Sequence, residues 1–326
     1  MILLLSIVTP LFSVASASDD NSIYTTFVDG NPITSKAAIV IDFLTGLVIY
    51  EFNADELRVP ASMVKMIAVY VVLDAIENGL INFDTQISTT RSTSIFSYNR
   101  AFSNVPMPRG SSYTVRELLD VVIVRSACAA TIALGEGIFG NEAVFVSHMN
   151  RKVEDLGIEA TFFDSWGGSR DNRMSARGMA ELTKSLINSH PIVLELTSQA
   201  FVTFDDIEYR TTNPLLTGYY GVDGFKTGYT NPAGWCFTST AKQNNRRIIT
   251  VTMGSESGFR FPDTVVLLDY GFKNYSKVIA NLFRSSLQSP DFPHFVRSPL
   301  VPIRMYKIDE ARYFDILDIA VMLNET

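Results

Sequence analysis

The chain of 326 residues is 47% hydrophobic and carries a formal net charge of −7. This length and composition supply enough apolar side chains for one large domain or two smaller ones. The negative charge, without a basic stripe or interleaved basic and aromatic residues, argues against nucleic-acid binding. The three histidines are scattered without metal-ligand spacing, and Cys128 and Cys236 form no metal motif, so no metal site is predicted.

The first segment has the pattern of a secretory leader. An apolar run over residues 2–14 is followed by the small residues Ala15-Ser16-Ala17. The run is short for a membrane span and suits a cleaved signal peptide. We therefore expect a signal peptide over 1–17 and export to the periplasm or cell envelope. No lysine or arginine precedes the run, and a buried N-terminal strand is the alternative.

The remaining chain predicts a sheet and several helices. Strands are expected over 38–41, 47–52, 221–226, 237–241 and 248–253. Helices are expected over 63–78, 114–124, 141–156, 175–189 and 263–270. Thr114 and Glu117 form a candidate capping box, and Gly271 is expected to end the last helix. Strands from both ends of the chain predict an α+β fold with one antiparallel sheet, flanking helices and a helical subdomain, with a catalytic cleft between sheet and subdomain.

The segment Ser62-Met63-Val64-Lys65 is the first candidate for chemistry. It opens a strongly apolar run, and positions i and i+3 of a helix share one face, so the Lys65 amine can reach the Ser62 hydroxyl. A serine becomes a good nucleophile when an adjacent base takes its proton, and a neutral amine is such a base. Taken alone, the same four residues also suit a capping serine and a lysine that extends its amine to solvent.

Two further motifs follow in order along the chain. Ser126-Ala127-Cys128 comes after a predicted helix, and Lys226-Thr227-Gly228 lies on a predicted strand. The second offers a cation, a hydroxyl and a glycine that lets substrate approach the backbone. The ordered triple of motifs is far more specific than any one of them.

With these motifs the chain resembles the penicillin-binding-protein and serine β-lactamase superfamily, and within it the low-molecular-mass D-alanyl-D-alanine carboxypeptidases. The resemblance runs from about residue 39 to residue 272 and implies a β-lactamase/transpeptidase-like fold. It also covers the segments 45–55, 113–119, 174–180 and 221–234.

The resemblance implies a role for each motif residue. Ser62 would be the nucleophile and Lys65 its base. Ser126 and Lys226 would relay protons, and Lys226 would supply a second cation beside Lys65. No organic cofactor is implied.

The remaining implied roles concern substrate binding. Thr227 would contact the substrate carboxylate, and backbone N–H groups of Ser62 and of Tyr229, just after Gly228, would form an oxyanion hole. Arg260 occupies a place where the family often carries a carboxylate-binding arginine, and a solvated surface arginine is the alternative.

One residue departs from the family pattern, because Cys128 stands where an asparagine is usual. A thiol is a weaker hydrogen-bond donor and acceptor than an amide. The expected activity is removal of the terminal D-alanine from peptidoglycan pentapeptide, with β-lactams as mimics of that substrate. A degenerate cell-wall-binding protein is the alternative. A β-lactamase is less favoured, because residues 161–166 contain no Glu-x-x-Asn.

We divide the chain into a catalytic domain over 18–276 and a short extension over 277–326. The extension is too short for the family's separate C-terminal β-domain. Residues 313–320 are acidic and apolar, which suits a docking helix better than a membrane anchor.

Overall fold

The computed structural model describes residue 23 and residues 25–287, with side chains described up to residue 276. The predicted signal peptide and the segment 313–320 lie outside the described residues. In chain order the strands are β1 (Thr26–Val28), β2 (Asn31–Ile33), β3 (Ala37–Asp42), β4 (Val48–Phe52), β5 (Gln86–Ser88), β6 (Ser112–Thr114), β7 (Ala160–Thr161), β8 (Arg173–Met174), β9 (Phe201–Phe204), β10 (Ile207–Arg210), β11 (Val222–Thr230), β12 (Gly234–Gln243) and β13 (Arg246–Ser255).

The helices alternate with these strands and lie mostly between β4 and β11. They are α1 (Lys65–Glu77), α2 (Arg91–Ser97), α3 (Val115–Val124), α4 (Cys128–Phe139), α5 (Glu142–Asp155), α6 (Ala176–Ser189), α7 (Val193–Thr197), α8 (Leu215–Gly218) and α9 (Arg260–Leu287). A 3-10 turn, Ala61–Val64, precedes α1 directly. The predicted capping box of Thr114 and Glu117 begins α3.

The central sheet has five antiparallel strands in the order β11-β12-β13-β3-β4. It therefore combines strands from both ends of the described chain, as predicted. Every residue of β3 is buried, because helices cover both faces of the sheet. Ile39 and Ile41 join the core formed with α1, α3 and α6, whereas Ala38 and Val40 join a second core with α9.

The prediction that the last helix ends at Gly271 is wrong. Helix α9 continues through Gly271 and past residue 276, the predicted domain boundary, to Leu287. A Cβ at Gly271 would lie 2.7 Å from Ile248 Cδ1 and 2.9 Å from Val40 Cγ1. This glycine lets the helix lie close to the sheet, and it does not stop the helix.

Edge strand β11 meets the helical part of the protein at the 3-10 turn. A Cβ at Gly228 would lie 2.9 Å from the Pro60 carbonyl oxygen and 3.2 Å from the Ser62 nitrogen. The absence of a side chain at Gly228 therefore lets the strand lie against the turn that carries Ser62. Within residues 25–287, no single helix is long and apolar enough to span a membrane, and α4 with α5 meets that criterion only as a pair bent by 91°.

Candidate active site

Ser62 and Lys65 are in contact. Lys65 Nζ lies 3.0 Å from Ser62 Oγ, as the i, i+3 spacing predicts. The turn between them is 3-10, and α1 begins at Lys65 itself. The Lys65 side chain is completely buried, which excludes the alternative in which its amine reaches solvent.

The Lys65 amine has two further partners. It donates to the Trp166 carbonyl oxygen at 2.6 Å and lies 3.4 Å from Cys128 Sγ. The residue that departs from the family pattern is thus in direct contact with the predicted base. Cys128 and Cys236 are both free and buried.

A second serine–lysine pair is formed by Ser126, just before α4, and Lys226 of β11. Lys226 Nζ donates to Ser126 Oγ at 2.8 Å and to its neighbour's carbonyl, Thr227 O, at 2.9 Å. Lys226 is 1% exposed. Its burial, and secondarily the charge of Lys65, hold the pKa of Lys226 well below its ordinary value. The sequence predicts Lys226 as a second cation beside Lys65, and burial disfavours the charged form of this amine.

Both candidate serines are associated with left-handed backbone. Ala61, just before Ser62, has φ +50°, and Ser126 itself has φ +62°. This region is uncommon for residues other than glycine, and such conformations cluster at functional sites. Around Ser126 the chain is held by bonds from Ala127 N to Val121 O at 3.0 Å and from Cys128 N to Ser103 O at 2.9 Å.

Thr227 is oriented by a residue that sequence reasoning missed. Its Oγ1 lies 2.7 Å from Thr212 Oγ1. Thr212 stands in a Thr-Thr-Asn-Pro turn that reads as an ordinary loop, and no spacing links it to a residue on the next strand. The contact of the Trp166 carbonyl with Lys65 was also missed, because a backbone oxygen leaves no signal in the sequence.

Arg260, the first residue of α9, lies beside the end of β11 and is half-buried. Its guanidinium donates to the Gly228 carbonyl at 3.3 Å, and its Cζ lies 4.7 Å from the Trp235 ring centroid and 4.6 Å from that of Phe261. Burial lowers the pKa of Arg260 to about 10, so it remains cationic at neutral pH. Among the described residues, nothing hydrogen-bonds its Nε. Its guanidinium thus packs against two aromatic rings and the β11 backbone and does not lie free in solvent.

Tyr229 follows Gly228 on the exposed edge of β11. The residue is 46% exposed, and its ring lies 4.2 Å, centroid to centroid, from that of Trp235. The structure thus places the predicted site residues at four places: the turn before α1 with the first residue of α1, the segment that leads into α4, strand β11, and the start of α9, which carries Arg260.

Solved structures show the class of this fold. Penicillin-binding protein 3 (PBP3) from Streptococcus pneumoniae, described as a peptidoglycan synthesis regulatory factor, matches with a TM-score of 0.70 and 35% identity over 73% of each chain. Penicillin-binding protein D2 from Listeria monocytogenes, in its ampicillin-bound form, matches with a TM-score of 0.66 and 31% identity over 74% of this chain and 98% of that one. The predicted penicillin-binding, transpeptidase-like α+β fold is confirmed.

Sequence comparison narrows the class to a family. A family model described as D-alanyl-D-alanine carboxypeptidase, peptidase family S11, matches residues 25–257, and this chain belongs to that family. The D-alanyl-D-alanine carboxypeptidase DacF of Bacillus subtilis is 31% identical over 248 residues, which make up 74% of this chain and 63% of DacF. DacA of Escherichia coli K12 is 31% identical over 278 residues, 83% of this chain and 68% of DacA. The chain thus spans less than two thirds of the length of DacF.

Proposed function

We propose that this protein is an exported serine D-alanyl-D-alanine carboxypeptidase that removes the terminal D-alanine of peptidoglycan peptides through an acyl-enzyme on Ser62. The observation that carries the proposal is the 3.0 Å contact between Ser62 Oγ and the buried Lys65 amine. The proposed catalytic domain over residues 18–276 includes the whole segment matched by the family model.

In the proposed acylation, Lys65 acts in its neutral form. A neutral amine has two N–H donors and one lone pair. The donors suit the Trp166 carbonyl and Cys128 Sγ, which leaves the lone pair for the Ser62 proton. Ser62 Oγ then bonds to the carbonyl carbon of the penultimate residue as Lys65 takes the proton. The developing oxyanion would be held by the N–H groups of Ser62 and Tyr229.

The second pair would serve the leaving group. As the peptide C–N bond breaks, the nitrogen of the departing D-alanine needs a proton. The Ser126 hydroxyl would give it, and Lys226 in its protonated form, 2.8 Å away, would return one to Ser126. In the hydrolysis that follows, a water oxygen bonds to the acyl carbon and the water proton passes through Ser126 to Lys226. As the ester bond breaks, Lys65 returns to Ser62 Oγ the proton that it took during acylation. Thr227 and Arg260 would hold the carboxylate of the terminal residue, since a hydroxyl and a guanidinium both donate to carboxylates.

A labelling experiment tests the nucleophile. β-Lactams mimic the acyl donor, so purified protein should gain the mass of one fluorescent penicillin molecule in intact mass spectrometry. Ser62→Ala should abolish the adduct, whereas the control Ser198→Ala, at an exposed serine after α7, should keep it. An unchanged adduct in Ser62→Ala would place the nucleophile elsewhere. Release of D-alanine from a diacyl-lysyl-D-alanyl-D-alanine peptide then tests the carboxypeptidase reaction.

A binding protein with little or no turnover is the second candidate, and Cys128 is the observation that favours it. Acylation by penicillin without release of D-alanine would support this candidate. A β-lactamase is less favoured, because it would need a glutamate placed to activate water for rapid deacylation. The loop over 161–172 instead presents the Trp166 carbonyl to Lys65. The nearby Glu142 carboxylate accepts bonds from the Ser165 nitrogen and hydroxyl.

A further inference from the structure

Three aromatic rings meet on one side of the candidate active site. Phe96 of α2, Phe102 of the following loop and Trp166 form what we call the aromatic triad. The ring centroids of Phe96 and Phe102 lie 5.4 Å apart, those of Phe96 and Trp166 5.3 Å, and those of Phe102 and Trp166 5.0 Å. These separations are typical of favourable tilted and edge-to-face contacts.

Backbone contacts attach the triad to the candidate nucleophile. The carbonyl of Trp166 accepts the bond from Lys65, and a Cβ at the next residue, Gly167, would lie 2.0 Å from the Ala61 carbonyl oxygen. The loop after α2 is attached in the same way. Ser103, next to Phe102, accepts a bond from the Cys128 nitrogen at 2.9 Å. The triad is therefore fixed relative to Ser62, Lys65 and Cys128.

The triad is only partly covered by the protein. Phe102 is 40% exposed, and Phe96 and Trp166 are half-buried. The other ring pair near the site, Tyr229 and Trp235, already has Arg260 against one of its members. An apolar surface next to a reactive serine suits an apolar part of the substrate.

The orientation of the substrate follows from the proposed function, on which this inference rests. The carboxylate end of the acyl donor would lie toward Thr227 and Arg260, on the sheet side of Ser62. In this orientation the acyl portion would leave Ser62 on the side of Cys128 and the Trp166 carbonyl, which both contact Lys65. That path leads to the aromatic triad.

We propose that the aromatic triad binds an apolar side chain on the acyl portion of the donor, either an aromatic ring or a run of methylene groups. Donors with such a group acylate Ser62 faster than donors without it, because the triad holds the group beside the nucleophile.

Two β-lactams separate this inference from the proposed function. Benzylpenicillin and 6-aminopenicillanic acid share the lactam ring and carboxylate, but only benzylpenicillin carries an aromatic acyl side chain. The readout is the second-order acylation rate constant of benzylpenicillin divided by that of 6-aminopenicillanic acid, both measured by intact mass spectrometry. Loss of one aromatic contact in Phe102→Ala should lower this ratio about tenfold. Phe102→Leu, which keeps an apolar side chain, should recover part of it.

The matched control is Ile95→Ala, since Ile95 is 67% exposed on α2 and lies outside the triad. Its ratio should equal that of the parent protein. Acylation by both compounds with an unchanged ratio in Phe102→Ala would overturn the inference alone. Failure of both compounds to acylate the parent protein would overturn the proposed function and the inference with it.

Discussion

The thiol of Cys128 lies 3.4 Å from the amine of Lys65, the same amine that contacts the Ser62 hydroxyl. Sulfur is a weak acceptor, so this contact does little to orient the amine. An asparagine at the same position would offer a carbonyl acceptor and two N–H donors.

Cys128→Asn should therefore raise the rate of acylation by penicillin. One stronger hydrogen bond in a dry site contributes on the order of 1 kcal/mol or more, which corresponds to about a fivefold to tenfold faster reaction. The acylation rate and the melting temperature should be measured together, with Cys236→Ala as the control for loss of a buried thiol. A slower variant with an unchanged melting temperature would contradict the view that Cys128 is a weaker form of asparagine.

Lys226→Met should change how stability depends on pH. The folded-state pKa of Lys226 is lowered, so between that pKa and the unfolded value of about 10.4 the unfolded chain binds more protons than the folded one. The free energy of unfolding therefore rises with pH across this window, by up to about 1.4 kcal/mol per unit.

The variant lacks this contribution, so the stability difference between parent and variant should shift in favour of the parent as pH rises. Chemical denaturation at several pH values measures it. Lys242→Met, at an exposed lysine on β12, should keep the slope of the parent protein. Parallel stability curves for the parent and Lys226→Met would show that Lys226 keeps an ordinary pKa.

Thr212→Val should weaken substrate binding without touching the substrate carboxylate directly. It removes the hydroxyl that lies 2.7 Å from the Thr227 hydroxyl and leaves the latter free to rotate. A hydrogen bond of this kind contributes about 0.5–1.5 kcal/mol. Because the carboxylate is bound equally before and during reaction, KM should rise up to about tenfold with kcat nearly unchanged.

Steady-state release of D-alanine measures both constants. Thr212→Ser keeps the hydroxyl and should restore the KM of the parent protein. If Ser and Val at this position behave alike, the hydroxyl has no positioning role.

Gly271→Ala should destabilise the fold although alanine favours helices. Helix propensity alone would add about 1 kcal/mol of stability. The new methyl group would meet Ile248 and Val40 at less than 3 Å, and such overpacking costs about 1–3 kcal/mol. The melting temperature should fall. Gly218→Ala, whose Cβ would meet nothing closer than 3.9 Å, should leave the melting temperature almost unchanged or raise it.

These residues also show how far the sequence alone determines the site. The Ser62–Lys65 contact was predictable, because a helical turn fixes the distance between positions i and i+3. The capping box at Thr114 was predictable for the same local reason. The contact between Thr212 and Thr227 was not, because it depends on how a loop packs against a strand. The Gly271 prediction failed because a glycine needed for close packing looks like a glycine that ends a helix.

The pairing of β3 with β13 sets the order in which the protein can assemble. Ile39 pairs with Val251, so residues 43–245 separate two strands that lie side by side. A ribosome supplies the N-terminal strands first, and contacts between distant segments form slowly. The free edge of the β3–β4 hairpin is therefore covered only after β13 has been synthesised, near the end of the described chain. A product truncated before residue 246 would keep this apolar edge open and would tend to aggregate.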